Sequence, residues 1–151
     1  MKHEIYFIAD YLGGLLKIIS LGLLLSFVPI YFIDNANVAY LIIIVFILIS
    51  YMLQNKKWIK NVSFNNLKAS IKIDYPLNIY GIKTEEVPFS KISKVTYFGY
   101  MFRTPSHCKV VLEKRILRFN CTKEEAKELS ELIESENIDF LFDDEKVVGY
   151  R

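Results

Sequence analysis

Two long apolar stretches occupy the first third of the chain, and a period-two pattern follows them. Residues 18–33 give 16 consecutive positions without a charge, and after Asp34 another 21, residues 35–55, run to Lys56. A helix rises about 1.5 Å per residue and a bilayer's hydrocarbon layer is about 30 Å thick, so about 20 residues cross it. The pattern predicts two transmembrane helices, at about residues 11–33 and 37–54. The first reaches this length only by starting near Tyr11, which places Lys17 inside it. Lys17 lies little more than one turn from that start, so its stem can carry the ammonium back to the headgroups. A working intramembrane cation paired with Asp10 is the other reading.

The four residues "DNAN", 34–37, suit a tight connection between antiparallel helices, and the two spans therefore form a hairpin. Pro29 bends the end of the first helix, which a neighbouring helix can accommodate. Gly22 and Ser26 form a small-x-x-x-small pair that lets the second helix approach closely. A cleaved secretory signal is not expected. The start "MKHE" is not clearly basic, the apolar stretch is long, no small-x-small site follows it, and a second apolar run would stop transfer.

Lysines and arginines of short loops stay on the cytoplasmic side. The connecting turn has none, whereas "QNKKWIK" supplies Lys56, Lys57 and Lys60 around Trp58, an interfacial anchor. The chain therefore leaves the bilayer into the cytoplasm, and two crossings put the N-terminus there too. The expected organisation is a transmembrane hairpin over residues 1–55, a cytoplasmic domain over 56–136 and a C-terminal segment over 137–151, in the cell (inner) membrane.

After the hairpin the pattern changes. In "ASIKIDY" Ile71 and Ile73 alternate with Ser70, Lys72 and Asp74, and "LNIYGIK" repeats this with Leu77 and Ile79 before Gly81. These predict two strands joined at Tyr75 and Pro76. "KVTYFGYMF" is a third strand, and "KVVLEKRILRFN" splits at residues 113–115 into two more. Six or seven short strands with no room for crossover helices imply an antiparallel sheet. One helix follows: Thr122 is its N-cap, Glu125 closes a capping box, and Ala126, Leu129, Leu132 and Ile133 form an apolar stripe. The "IDFLF" segment predicts an extra strand or short helix, and "DDEKVVGYR" a loose tail.

Composition agrees with an α+β membrane protein. Of the 151 residues 52% are hydrophobic, with a mean hydropathy of +0.24, although the length suits about one ordinary domain. Two membrane helices, a basic exit, an antiparallel sheet and a terminal helix resemble the bacterial pleckstrin-homology-like (PH-like) membrane proteins, short chains of mostly undefined role. "VPFSKISKV", residues 87–95, is similar to that family's hydrophobic-Pro-aromatic-x-x-Ile-x-x-Val stretch, with Phe89 where Trp is commoner. The resemblance covers about residues 58–136. It implies a sandwich or split barrel of about seven strands closed at one end by the C-terminal helix, with Phe89 and Ile92 plugging the core.

Charge divides the chain further. Residues 56–121 hold 13 Lys and Arg against 4 Asp and Glu, a balance of +9, whereas residues 122–151 hold 4 against 10, a balance of −6. A basic domain tethered under an anionic leaflet lies against it, each well-placed cation contributing about 1 kcal/mol that salt screens. Lys72, Lys83, Lys91, Lys94 and Arg103, with Lys56, Lys57 and Lys60 at the exit, are the candidate lipid-facing residues, either as a headgroup groove or as plain orientation. Both faces of "YFGYMFRTP" are apolar, and Phe98, Tyr100 and Phe102 are the candidate surface for a protein partner or self-association.

Little points to catalysis. His107, Cys108 and Cys121 lack zinc-ligand spacing, and the cysteines are expected reduced and structural. No cofactor, metal or phosphate loop is expected, and no reading helix or stacking platform suggests nucleic acid. The expectation is a non-enzymatic binding or adaptor protein, with an immunity protein against a membrane-acting toxin as the alternative.

Overall fold

A computed structural model describes residues 3–100, 104–113, 115–136 and 138–143. The described residues form three α-helices and eight strands that divide into two compact units.

The helical unit, residues 8–61 with 74–84, is built on the two apolar runs. Helix α1 (Tyr11–Ile30) starts where Asp10 caps it, the carboxylate accepting from the Gly13 amide at 2.9 Å. That role occupies Asp10 locally, and Lys17 is exposed on the helix surface. Pro29 stands in the last turn, and α1 unwinds beyond Ile30 into shorter-range bonds. Helix α2 (Ala36–Trp58) starts at Asn35, whose side chain accepts from the Asn37 and Val38 amides. It continues four residues past the expected end, through the basic exit, and closes with Lys56 and Lys57 in its last turn, where cations favour the helix dipole.

Both helices are long and apolar enough to cross a bilayer. They meet along a seam of small residues. Gly14, Ile18, Gly22 and Ser26 recur every fourth position on α1 and are its buried residues. A Cβ on Gly22 would lie 2.6 Å from the Ile47 Cα, so only glycine permits this approach. At the base of the hairpin, Asn61 ties the two ends together: its Oδ1 accepts from the Ala9 amide at 2.9 Å, and its Nδ2 donates to the Tyr11 hydroxyl at 3.1 Å.

The β unit comprises residues 3–7, 62–73 and 85–143 as described. Its first sheet runs in the order β1-β2-β3-β4, from β1 (Glu4–Phe7), β2 (Asn61–Asn65), β3 (Ser70–Asp74) and β4 (Thr84–Pro88). Its second runs β7-β6-β5-β8, from β5 (Ile92–Phe98), β6 (His107–Leu112), β7 (Ile116–Asn120) and β8 (Asp139–Asp143). The ladders are joined by aromatic packing. Phe7 of β1 lies 4.5 Å, ring centre to ring centre, from Phe119 of β7, and Phe64 of β2 lies 5.8 Å from the same ring. Phe89, in the 3₁₀ turn between β4 and β5, and Ile92 are both buried, as the "VPFSKISKV" stretch implies. Helix α3 (Lys123–Ile133) carries the expected capping box and buries Ala126, Leu129, Leu132 and Ile133.

Four expectations are corrected. Strand β1 was not foreseen: it precedes the hairpin yet pairs antiparallel with β2, which follows it. "LNIYGIK" is not a strand, because Asn78, Pro76 and a left-handed Gly81 (φ +83°) bend residues 75–83 into a loop. The sheets are not wholly antiparallel, since β8, entered from α3, pairs parallel with β5. Strand pairing forms two four-stranded ladders, eight strands among the described residues rather than six or seven. The "IDFLF" segment does form a strand; the tail, residues 144–151, lies outside the described residues.

The seam of the hairpin makes a direct prediction. Gly22→Leu forces a side chain against the Ile47 backbone and should destabilise the hairpin by about 1–3 kcal/mol. Unfolding of the detergent-solubilised protein by sodium dodecyl sulfate should shift to lower denaturant, further for Leu than for Ala, while an unchanged midpoint would show that the helices do not pack through this face.

Candidate functional site

The basic residues at the end of α2 come together within the helical unit. Lys56 and Lys57 are exposed, and the Lys60 ammonium folds back to donate to the Lys57 carbonyl at 3.1 Å. The Lys56 ammonium stands 5.9 Å from the centre of the Tyr75 ring, within cation–π range. Lys83, at the far end of the 75–83 loop, is exposed in the same unit. Trp58 is half-buried in the last helical turn.

The other predicted cations belong to the β unit and are spread across it. Lys72 projects from β3 in the first sheet and is exposed. Lys94 projects from β5 in the second sheet, its ammonium 4.0 Å from the Asp139 carboxylate of β8. Lys91 lines a cleft of about 340 Å³ together with Glu85, Glu86, Glu113 and Arg115. Arg103 lies outside the described residues. Sequence spacing could not reveal this separation, because it depends on which ladder each strand joins.

The cleft itself was not anticipated. It is edged by Val87, Pro88 and Leu112, and Arg115 forms a 2.7 Å ion pair with Glu85 inside it. This pairing uses charge of both signs locally, and half-exposed pairs of this kind contribute about 0–1 kcal/mol.

Of the candidate partner surface, Phe98 is half-buried and stacks on the His107 ring at 5.2 Å. Tyr100, just beyond β5, is 76% exposed. Phe102 lies outside the described residues. A neighbouring apolar strip adds to this edge: Leu141 and Phe142 of β8 are exposed, and Phe142 packs 5.8 Å from the Tyr97 ring.

The two cysteines meet in the core of the β unit. Cys121 donates its thiol to the Cys108 sulfur at 3.1 Å, and neither is in a disulfide. This hydrogen bond, and burial after it, push the Cys108 thiol far above its ordinary range, which disfavours its thiolate. Among the described residues no cluster of three or more His, Cys, Asp or Glu is arranged to hold a metal.

The chain matches no protein-family model and no curated protein.

The thiolate is the reactive form, and both sulfurs are enclosed. Iodoacetamide at mildly alkaline pH should leave Cys108 and Cys121 unmodified in the folded protein and alkylate both after denaturation. Mass spectrometry reads the result directly. Rapid modification of the native protein would contradict the enclosure of the pair.

Proposed function

We propose that this chain is a membrane-anchored, non-catalytic binding protein that holds a PH-like β domain at the cytoplasmic surface of the inner (cell) membrane, where it contacts anionic lipid or a protein partner. The observation that carries this reading is the surface of α2. It exposes Leu41, Ile44, Leu48 and Leu53 around its girth, with only Ser50 and Asn55 buried, and it ends in Lys56 and Lys57. In water such a helix would leave an apolar surface far larger than monomeric proteins expose, whereas hydrocarbon accepts it. The terminal lysines favour a cytoplasmic exit.

Pairing of β1 with β2 supports the two-span arrangement, because it requires the residues before α1 and after α2 to lie on one side. The PH-like reading draws support from two packed four-stranded ladders, the buried Phe89 and Ile92, and a capped C-terminal helix. The parallel strand β8 and the N-terminal strand β1 are additions to that pattern. Anionic lipid is favoured as a ligand by the balance of +9 over residues 56–121, with acidic residues concentrated in α3 and beyond.

The β unit includes Phe7, so its lipid binding is best tested on a soluble variant in which residues 9–60 are replaced by a short Gly-Ser turn joining β1 to β2 and the exposed apolar Ile79, Tyr80 and Ile82 are replaced by serine. This variant should float with vesicles containing phosphatidylglycerol and not with phosphatidylcholine alone. Lys72→Ala with Lys91→Ala should weaken flotation by about tenfold or more, at about 1 kcal/mol for each cation, and salt should have the same effect. Equal behaviour with both vesicle types would remove anionic lipid from the proposal and leave a protein partner, to be sought by purification of the full chain in mild detergent.

A further inference from the structure

The loop at residues 75–83 belongs to the helical unit and is hydrogen-bonded to α2 rather than left as a free surface turn. The Leu77 carbonyl accepts from two side chains of that helix, the Tyr51 hydroxyl and the Asn55 amide, the latter at 3.3 Å. At about 1.5 Å per residue, Tyr51 lies about 7.5 Å and Asn55 about 1.5 Å below Lys56 along the helix axis, on the side of the apolar stretch. The loop is therefore fastened at a depth below the lysines that mark the headgroup level.

Asn78 organises much of its backbone from within. The Asn78 side chain is 7% exposed and donates to the carbonyls of Tyr80, at 2.6 Å, and Ile82, at 3.0 Å. The Asn78 amide donates to the Tyr75 carbonyl at 3.1 Å, and the Tyr75 amide to the Lys83 carbonyl at 2.7 Å. Five carbonyls, those of Tyr75, Leu77, Tyr80, Ile82 and Lys83, thus accept a bond from protein. Each such bond lowers the cost of bringing irregular backbone to the partly hydrated edge of a bilayer.

The side chains point the other way. Ile79 is 65% exposed, Tyr80 70% and Ile82 61%, on a loop whose conformation is fixed by Asn78 and by Gly81 at positive φ. Apolar residues exposed on a loop that carries Lys83 and whose Gly81 approaches the Lys56 ammonium match the boundary between acyl chains and headgroups. There Tyr is enriched and Lys reaches outward to phosphate.

The geometry points to the 77–82 loop as a third membrane-contacting element, a wedge whose Ile79, Tyr80 and Ile82 side chains sit in the headgroup and acyl boundary of the leaflet from which α2 emerges. The inference rests on the proposed insertion of α1 and α2. It gives the β strands that flank the loop, β3 and β4, a second attachment to the bilayer besides the covalent one.

Tryptophan depth probes in the full chain separate the two claims. In a Trp58→Phe background, which removes the sole tryptophan, Tyr80→Trp reports the loop. Leu48→Trp, on the exposed face of α2, reports the span. The protein is reconstituted into phosphatidylcholine and phosphatidylglycerol vesicles with or without acyl-chain bromination. Both probes should lose most of their emission in brominated lipid and resist aqueous iodide, with Ile82→Trp as a second loop probe should Tyr80→Trp fold poorly. Quenching of the Leu48 probe alone, with both loop probes open to iodide, would overturn the wedge and leave the spans intact. Loss of bromine quenching at both positions would overturn insertion itself.

Discussion

Pairing between β1 and β2 is the constraint on which the rest of the structure depends. The two strands stand on opposite sides of a 54-residue excursion, residues 8–61, yet register from Glu4 against Asn65 to Phe7 against Val62. Closing so long a loop is costly in entropy. The hairpin reduces that cost, because two antiparallel helices of similar length return the chain to its starting level. Asn61 then bonds the Ala9 amide and the Tyr11 hydroxyl, fixing the spacing at which the strands can pair.

Packing on each side of that closure is of a different kind. If the two apolar helices are inserted as proposed, the apolar effect does not distinguish a neighbouring helix from lipid, and close approach at Gly14 and Gly22 supplies the specificity. In the β unit burial in the ordinary sense is available. Phe7, Phe64, Phe89 and Phe119 form one aromatic cluster between the ladders, and truncating a buried Phe of this type costs about 3–5 kcal/mol. Phe7 belongs to that cluster, so a segment that precedes α1 and α2 in the chain is part of the core built from residues that follow them.

Much of this was legible in the residues. The helices followed from charge-free length, α3 from Thr122 and Glu125, and β6 and β7 from apolar runs broken at residues 113–115. Strand β1 escaped because Ile5 and Phe7 are a single period-two pair, indistinguishable from the apolar flank of a span. Leu77 and Ile79 read as a strand because alternation does not record that the Asn78 side chain claims the carbonyls of Tyr80 and Ile82. The parallel direction of β8 depends on where α3 delivers the chain, which local pattern does not encode. For the site, the sequence supplied a tally of cations but not their sharing between two ladders, nor the Arg115 and Glu85 pair inside the cleft.

Oxidative cross-linking of Glu4→Cys with Asn65→Cys, in a chain whose native cysteines are replaced, tests the central closure most directly when it is carried out in alkaline-washed membranes. The account predicts an intrachain disulfide that stays with the pellet and forms at low oxidant, because the two positions are register partners and the proposed two-span insertion keeps them on one side of the bilayer. Absence of the cross-link, with the two thiols labelled from opposite faces of the membrane, would contradict it.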